Sequence, residues 1–338
     1  RGRPMPVLDT PDDWAWWVGC WQYVLDAADV TGADRALLAF SFGPFVGFWS
    51  AFDALVSRGV LAIPAGGMST VARVDLIERS RATLLLCTPS YALHLAEAAA
   101  ARGIRLADLP VTRIVVAGEP GGSVPATRER IESAWGARVI DHSGATEVGA
   151  WSYGETDGSG LRVIESEFLP EFYDVETGEP LNDEDPNSNG RLAHLVLTTL
   201  GRYGAPVIRY RTGDLVRPRW DSPNEVRFVR LDGGVLGRAD DMMIVRGVNV
   251  YPSAIEQILH GFPEVVEYRL TARKRGEMDE LVIEVEDQLQ APERIANELV
   301  LRLGLKVEVR LATAMSLPRA EHKSARFVDL RRSGPADA

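Results

Sequence analysis

Two neighbouring stretches decide the fold of this chain: VIRYRTGDLVRPRW at residues 207–220 and LGRADDMMIVRGVNVYPSAIE at residues 236–256. In the first, an apolar run typical of a β-strand is followed by a predicted turn that presents the carboxylate of Asp214. In the second, a polar turn that contains Arg238 lies between two apolar runs, where a chain can change domain. A carboxylate accepts hydrogen bonds from a vicinal diol, and a guanidinium donates a planar fork to phosphate or ribose. The alternative is two ordinary charged loops, and their closeness in sequence favours the functional interpretation.

Length and composition predict a globular protein of about two domains. The chain has 338 residues, 46% of them hydrophobic, and a formal net charge of −11. An acidic balance argues against nucleic-acid binding and against a basic membrane-binding patch. Two cysteines, Cys20 and Cys87, are too few for a disulfide framework or a metal cluster. Because no apolar stretch is long enough to cross a membrane and no signal peptide is recognisable, the cytoplasm is the expected compartment.

The order of predicted elements indicates an α/β fold. Up to about residue 150, short apolar strands alternate with helices, a pattern typical of a parallel sheet with helices on its faces. Residues 150–236 are predicted to form a β-rich part of the same large domain. Beyond residue 240, the predicted order β-α-β-β-α-β indicates a small α+β domain. The expected boundaries are 1–239 for the large core and 240–338 for the C-terminal domain.

Polar motifs directly follow two of the predicted parallel strands. AGEP begins at Ala117 and HSGATE begins at His142. Ligands of such sheets gather at the carboxyl ends of the strands, so both motifs are expected near a binding site. Thr146 and Glu147 in the second motif provide a hydroxyl and a carboxylate, which suit a phosphate and Mg²⁺.

Together these motifs resemble those of the adenylate-forming enzymes, the superfamily that contains acyl- and aryl-CoA ligases, adenylation domains and luciferases. Within it, the chain is most similar to the phenylacetate–CoA ligase branch. The resemblance rests on RYRTGDL, GRADDMMIVRGVNVYPSAIE, TPSYAL, AGEP and SGATEVG, and it covers about residues 35–331. It implies a large core followed by a mobile C-terminal domain that turns about a hinge at Asp240 between two reaction steps.

The resemblance implies ATP, Mg²⁺ and coenzyme A as cofactors and a small carboxylic acid as substrate, with an aromatic acid favoured. The carboxylate would attack the α-phosphate of ATP, pyrophosphate would leave, and a thiol would then displace AMP from the acyl-adenylate. Transfer to a carrier protein or an amine remains an alternative to coenzyme A. A homodimer also remains open, and no nucleic-acid or membrane partner is expected.

Catalytic and metal-binding roles are implied for three residues. Thr146 would bond the α-phosphate, and Glu147 would hold Mg²⁺. Lys323 lies in PRAEHKSARFVDLR, which resembles the C-terminal lysine loop of the family. Its compact charge would bridge the substrate carboxylate and the α-phosphate. His322 stands where the family usually has glycine, and the alternative for Lys323 is a solvated terminal charge.

The positions that the resemblance assigns to nucleotide and cofactor binding follow the same motifs. They are Gly118, Glu119, Pro120, Asp141, His142, Ser143, Gly144, Asp214, Arg238, Arg246 and Gly247. The backbone of the AGEP motif would line the adenine pocket, Asp141 would accept from the adenine amino group, and Asp214 would accept from both ribose hydroxyls. Arg246 and Gly247 would flank the pantetheine tunnel.

The chain departs from the family pattern at two places. Ser143 stands where an aromatic residue usually stacks on adenine, so His142 either takes over part of that contact or is a strand-end histidine without a ligand. At the N-terminus, Gly2-Arg3-Pro4 resembles the end of a phosphate loop whose Ser/Thr-rich part is missing from this sequence. A truncated relative that binds nucleotide or acyl-AMP without turnover is therefore a further alternative.

The predicted acyl pocket is formed by Phe42, Phe45, Gly118 and Ala145. The two phenylalanines lie in FSFGPFVGFW, which resembles an aromatic stretch of the branch. An aromatic wall would suit a small aryl acid. The alternative is that aromatic residues at helical spacing belong to the core.

Overall fold

The structure of the chain is a computed structural model, and it divides into two compact units, Arg1–Leu236 and Gly237–Ala338. The residues that it describes are 8–40, 42, 46–220, 226–239, 243–245, 248–275, 278–304, 307–318 and 326–331. The boundary predicted between residues 239 and 240 stays a prediction. The predicted hinge residue, Asp240, lies outside the described residues.

Unit 1 begins with strands and helices that alternate along the chain. The helices are α1 (Pro11–Ala27), α2 (Val46–Ser57), α3 (Thr70–Ser80), α4 (Pro89–Ala100) and α5 (Pro125–Trp135). The strands are β1 (Arg35–Leu38), β2 (Leu61–Pro64), β3 (Leu84–Cys87), β4 (Arg113–Val116) and β5 (Arg138–Asp141). All neighbouring strands pair in parallel, in the order β2-β1-β3-β4-β5. The predicted parallel sheet with helices is confirmed.

Successive residues of the parallel strands pack into two different hydrophobic clusters. On β3, Leu84 and Leu86 join residues of α1 and α2, whereas Leu85 and Cys87 join residues of α3, α4 and α5. Successive side chains of a strand point to opposite faces, which explains the alternation. All four side chains are buried, so helices cover both faces of the sheet. Because helices cover both faces, a ligand would reach this sheet at the ends of its strands.

The rest of unit 1 is rich in β-structure, as predicted. Its strands are β6 (Gly144–Ala145), β7 (Gly149–Ala150), β8 (Ser152–Gly154), β9 (Gly160–Val163), β10 (Phe168–Asp174), β11 (Pro180–Leu181), β12 (Ala193–Thr199), β13 (Tyr210–Val216), β14 (Pro218–Arg219) and β15 (Arg230–Asp232). Within unit 1, one antiparallel group has the order β14-β15-β9-β8 and another has the order β11-β10-β12-β13. Strands β6 and β7 form a separate antiparallel hairpin.

The prediction of a turn at Asp214 is wrong, because Tyr210–Val216 is one strand. The pairing of β12 with β13 shifts register, since Val196 faces Arg211 and His194 faces Leu215. Three residues of β13 therefore lie opposite one residue of β12, as in a β-bulge. Asp214 is the last of these three residues, and the bulge rather than a turn sets its orientation.

Unit 2 has the α+β organisation that the sequence predicts. Its elements are β16 (Gly237–Arg238), β17 (Met243–Val245), β18 (Val248–Val250), α6 (Pro252–His260), β19 (Val265–Arg275), β20 (Met278–Asp287), α7 (Pro292–Leu303), β21 (Glu308–Leu311) and β22 (Phe327–Asp329). Four strands form a mixed sheet in the order β21-β20-β19-β22. Ile255, Ile295 and Leu299 of the two helices join a buried cluster with this sheet. Among the helices described in either unit, none has the length and hydropathy to cross a bilayer.

Candidate active site

The predicted site motifs begin at the ends of adjacent parallel strands. β3 ends at Cys87, β4 at Val116 and β5 at Asp141, and these three residues are partners in register across the sheet. Because the strands are parallel, their carboxyl ends lie at one edge. The motifs TPSYAL, AGEP and HSGATE, which follow these ends directly, are therefore brought to the same edge of the sheet.

Glu119 of the AGEP motif binds the start of α4. Its Oε1 accepts a hydrogen bond of 2.7 Å from the backbone N–H of Ser90. The first N–H groups of a helix have no partner within the helix, so this contact stabilises the N-terminus of α4. Gly118 has φ of +93°, a conformation that favours glycine. The lining of an adenine pocket by the backbone of Gly118, Glu119 and Pro120 stays a prediction.

Asp141 is buried at the end of β5 and its carboxylate is bonded within the protein. Ser123 donates its hydroxyl to Oδ2 of Asp141 at 2.5 Å. Burial raises the pKa of Asp141 to about 6. A Cβ atom on Gly122 would lie 2.6 Å from the carboxyl carbon of Asp141, so the loop needs glycine at that position. These contacts favour a structural role for Asp141, and its bond to an adenine amino group stays a prediction.

His142 turns its ring into the core. Its Nδ1 donates to the carbonyl oxygen of Ser152 at 2.8 Å, and its ring centroid lies 4.4 Å from that of Trp21. Burial lowers the pKa of His142 to about 4, so the ring is neutral near neutral pH. The backbone N–H of Ser143 donates to the Ser152 hydroxyl at 3.1 Å. These contacts favour the alternative of a strand-end histidine without a ligand.

Thr146 and Glu147 lie in the tight turn that joins β6 to β7. Both residues are exposed, whereas Val148, which follows them, is fully buried. An exposed hydroxyl next to an exposed carboxylate fits a phosphate together with Mg²⁺, which binds one or two carboxylates and completes its shell with phosphate oxygens and water. Among the described residues, no group of three or more His, Cys, Asp or Glu side chains could hold a metal ion. The binding of Mg²⁺ by Glu147 stays a prediction.

The main chain of this turn is bound by Arg202, a residue that the sequence motifs do not single out. Its Nη1 donates to the carbonyl oxygen of Glu147 at 2.8 Å, and its Nε donates to Asp9 at 2.7 Å. The guanidinium carbon lies 5.2 Å from the ring centroid of Trp17. The sequence signal for Arg202 is its place between two glycines in Gly201-Arg202-Tyr203-Gly204, which marks a tightly packed loop.

Asp214 is half-buried in the bulge of β13. The Thr212 hydroxyl donates to the carbonyl oxygen of Leu195 at 3.1 Å and accepts from the backbone N–H of Asp214 at 3.0 Å. Gly213 between them has φ of +79°, which fits a bulge. The bulge holds the backbone of Asp214 in place, and its binding of ribose stays a prediction. Arg238 is exposed in unit 2, where it belongs to β16.

The predicted acyl-pocket residues are only partly described. The ring of Phe42 is half-buried and meets Trp49 and Phe52 of α2 edge-on, with centroid distances of 5.0 Å and 6.1 Å. Ala145 packs against the same hydrophobic cluster as Phe42, and Gly144 before it is exposed. This aromatic group is compatible with a pocket wall and with a core role.

Several predicted residues lie outside the described residues. They are Phe45, Asp240, Arg246, Gly247 and Lys323, together with the segment Gly2-Arg3-Pro4. Their roles stay as predicted from the sequence.

Comparison with known proteins identifies the family of the chain. Residues 247–331 match the model of the AMP-binding enzyme C-terminal domain. The phenylacetate–coenzyme A ligase of Thermus thermophilus is 32% identical over 322 residues, which cover 87% of this chain and 71% of that protein. The phenylacetate–coenzyme A ligase of Escherichia coli is 31% identical over 347 residues, with coverage of 98% and 77%.

A solved structure of 2-hydroxyisobutyryl-CoA ligase in the postadenylation state agrees with this relationship. It matches with a TM-score of 0.87 and 26% sequence identity, over 95% of this chain and 70% of that chain. The family expected from the motifs is thus confirmed. The chain belongs to the phenylacetate–coenzyme A ligase family of adenylate-forming acid–thiol ligases.

Proposed function

We propose that this chain activates a carboxylic acid with ATP and transfers the acyl group to the thiol of coenzyme A. The observation that carries the proposal is the turn of Thr146 and Glu147. The turn lies in the HSGATE motif, which starts at the carboxyl edge of the sheet, and it exposes a hydroxyl beside a carboxylate. Relatives of the chain are named as phenylacetate–coenzyme A ligases, so an aryl acid is the favoured substrate.

The reaction has two steps. In the first, a carboxylate oxygen of the acid attacks the α-phosphorus of ATP, the bond to pyrophosphate breaks, and an acyl-adenylate forms. In the second, the sulfur of coenzyme A attacks the acyl carbon, the thiol proton is lost, and AMP leaves. The solved structure of 2-hydroxyisobutyryl-CoA ligase contains an acyl-AMP, which supports the first step by analogy.

Each proposed role matches the chemistry of its side chain. Glu147 would hold Mg²⁺, which neutralises phosphate charge when bound. Thr146 would donate its hydroxyl to the α-phosphate, and Asp214 would accept from the ribose hydroxyls. Lys323 would place a compact positive charge where negative charge builds up in the first step.

The substrate class is supported by the aromatic residues near the parallel sheet. The ring of Phe42 meets those of Trp49 and Phe52 edge-on, and ligand pockets are lined mainly by hydrophobic and aromatic side chains, so this group would suit a small aryl acid. Phenylacetate and benzoate are therefore expected to be better substrates than short aliphatic acids.

A pyrophosphate-exchange assay tests this function. The full chain is incubated with ATP, Mg²⁺, labelled pyrophosphate and one acid from a panel of phenylacetate, benzoate and short aliphatic acids. Exchange that depends on the acid demonstrates adenylation, and a thioester after addition of coenzyme A demonstrates transfer. Exchange without a thioester would favour a carrier protein or an amine as acceptor. Nucleotide binding without exchange for any acid would favour a non-catalytic relative.

Lys323→Ala separates the two steps in the same assay. Exchange should fall by about 10²-fold or more, because the lysine acts on charge that develops in the adenylation step. Thioester formation from pre-made acyl-adenylate should continue. If the variant loses both steps equally, the role given to Lys323 is wrong.

A further inference from the structure

The loop of residues 201–204 is fixed against the start of α1. The carboxylate of Asp13 accepts from the backbone N–H groups of Tyr203 at 2.7 Å and Gly204 at 3.0 Å. A Cβ atom on Gly204 would lie 2.3 Å from Oδ2 of Asp13, and one on Gly201 would lie 2.2 Å from the ring of Trp16. Both glycines allow a close approach that no other residue permits. The backbone on each side of Arg202 is therefore held in one place.

From this fixed backbone, Arg202 reaches into the protein interior. Its side chain is 1% exposed, and its Nε pairs with Asp9, which lies just before α1. The guanidinium of Arg202 lies over the ring of Trp17 in α1. A buried guanidinium is held in one orientation by an ion pair and an aromatic face, because other orientations leave the charge without a partner.

The third contact of this guanidinium is with the candidate site. Nη1 of Arg202 donates to the carbonyl oxygen of Glu147 at 2.8 Å. A hydrogen bond from a charged donor is stronger than one between neutral groups. The contact reaches the main chain of Glu147, and the exposed carboxylate of that residue stays free to bind a ligand. Arg202 thereby fixes the backbone from which the Glu147 side chain extends, and it does not bind the carboxylate itself.

Trp17 holds the same turn from its other end. A Cβ atom on Gly149 would lie 3.4 Å from the Trp17 ring, so the tryptophan packs directly against the residue that closes the turn. Gly149 has φ of +100°, a conformation that this tight turn requires. Thus Trp17 of α1 contacts the turn directly at Gly149 and also supports Arg202, which binds the turn at Glu147.

We propose that Arg202 is a positioning residue for nucleotide binding, which holds the Thr146–Glu147 turn in the orientation that receives MgATP. The inference rests on the proposed function, in that it assigns Glu147 to Mg²⁺. Arg202 would act through the main chain of Glu147 and not through a contact of its own with the nucleotide. Removal of a residue that orients a metal ligand typically lowers metal affinity or activity by about 10- to 100-fold.

The test compares Arg202→Met with Asp9→Asn. Arg202→Met removes every donor but keeps an apolar stem against Trp17. Asp9→Asn breaks the ion pair but leaves the bond from Arg202 to the Glu147 carbonyl in place. The double variant Asp9→Asn/Arg202→Met removes both partners, so that no single charge is left buried. Thermal denaturation of all three variants measures their loss of stability.

The main readout is the dissociation constant of MgATP, measured by calorimetry at several Mg²⁺ concentrations. We expect Arg202→Met and the double variant to weaken MgATP binding by about 10- to 100-fold, with a higher Mg²⁺ requirement. Asp9→Asn should bind MgATP within about threefold of the parent, although its Tm falls. Pyrophosphate exchange should fall with MgATP binding. Thioester formation from pre-made acyl-adenylate should fall less, because the acyl-adenylate keeps the α-phosphate that Thr146 would contact but lacks the pyrophosphate group that leaves in the first step.

Equal MgATP affinity in Arg202→Met and the parent would overturn the inference, and so would an equal loss in Asp9→Asn. Should Arg202→Met not fold, Arg202→Lys takes its place, because lysine keeps a cation beside Asp9 but lacks the planar fork that bridges two acceptors. Because calorimetry needs no turnover, a parent that binds MgATP without exchange would refute the proposed function and still test the role of Arg202.

Discussion

Two aspartates of unit 1 are both buried, yet their pKa values shift in opposite directions. Hydrogen bonds from the backbone of Thr10 and Gly204 lower the pKa of Asp13 to about 2. Burial raises the pKa of Asp141 to about 6, although the Ser123 hydroxyl and neighbouring N–H groups offset part of the rise. Hydrogen bonds therefore dominate at Asp13 and burial dominates at Asp141, and the balance of the two decides whether a carboxylate in the interior keeps its charge.

Asp13 obtains many donors because two backbone segments meet at its position. It accepts from the backbone N–H and the hydroxyl of Thr10, each at 2.8 Å, as part of a capping box at the start of α1. It also accepts from Tyr203 and Gly204 of the facing loop. Helix starts and tight turns both present free N–H groups, so a carboxylate between them is stabilised in its charged form.

Asp141 also accepts hydrogen bonds, but its neighbours enclose it closely. Its donors include the Ser123 hydroxyl at 2.5 Å, the backbone N–H of His142 at 3.0 Å and the backbone of Ser123. Gly122 and Gly234 approach so closely that a Cβ atom would lie 2.6 Å and 3.2 Å from the carboxyl group. The site is thus packed with glycine backbone that excludes water, and burial dominates the pKa of Asp141.

Asp13→Ala should have the largest effect on stability. The variant leaves the N–H groups of Tyr203 and Gly204 without an acceptor and removes the capping box of α1, so we expect a Tm lower by about 10 °C or more near neutral pH. The lowered pKa means that the carboxylate stabilises the fold above the ordinary value of 3.8, and this contribution is lost as pH falls towards about 2. Thermal denaturation as a function of pH should show the gap between variant and parent closing below about pH 4.

The control for this variant is Asp12→Ala. Asp12 is the exposed neighbour of Asp13 in the first turn of α1, so its removal costs only a favourable interaction with the helix dipole. A Tm change of about 2 °C or less is expected for the control. Equal Tm values for the two variants would show that the donors around Asp13 do not stabilise the fold.

The sequence predicts those features that depend on residues close together in the chain. Local signals identify α6 and α7, since a proline at the first turn and an apolar stripe are visible within one short window. The motifs after β4 and β5 also predict that Asp141 lies at the carboxyl edge of the sheet. The hydrogen bond from the backbone N–H of Tyr203 to Asp13 joins residues that are 190 positions apart, and no local sequence pattern indicates such a contact.

The wrong prediction of a turn at Asp214 has the same origin. Asp214 follows a glycine in a polar stretch, which is typical of a turn. Its place in a strand depends on pairing with β12, which a single stretch cannot reveal. The role of His142 depends likewise on Ser152 and Trp21, which contact its ring only after folding. The bond from Arg202 to the Glu147 carbonyl also forms between residues that are far apart in sequence, so local motifs do not predict it.

Asp141→Asn should change the pH dependence of stability. Because the pKa of Asp141 is raised from 3.8 to about 6, its stabilising contribution is complete at low pH and is lost as pH rises through this interval. The loss amounts to about 3 kcal/mol at most, since one pKa unit corresponds to about 1.4 kcal/mol. Asparagine has a similar shape and does not ionise, so the variant should lose less stability between about pH 4 and pH 7.

Urea denaturation at several pH values measures this difference. The free energy of unfolding of the parent should decline relative to that of Asp141→Asn as pH rises. The decline should be steepest between about pH 4 and pH 6, and the difference should be complete above about pH 7. Parallel curves would mean that Asp141 ionises as freely in the folded chain as in the unfolded chain. In that case the contrast with Asp13 would not hold.

Ser123→Ala should have the smallest effect, and it tests the role of donors most directly. The variant removes the hydroxyl that donates to Asp141 at 2.5 Å and leaves the backbone of Ser123 in place. A hydrogen bond to a charged group contributes about 1.5 kcal/mol, so the pKa of Asp141 should rise from about 6 by roughly one further unit. Because the pKa moves further from 3.8, the loss of stability should extend to higher pH than in the parent.

The double variant Ser123→Ala/Asp141→Asn completes this test as a mutant cycle. If the hydroxyl acts by stabilising the charged carboxylate, Ser123→Ala should extend the pH-dependent loss of stability only while Asp141 is present. In the Asp141→Asn background, the same substitution should change stability by an amount that does not vary with pH. A pH-dependent effect of Ser123→Ala in that background would assign the titration to another group, and the contrast between Asp13 and Asp141 would then not hold.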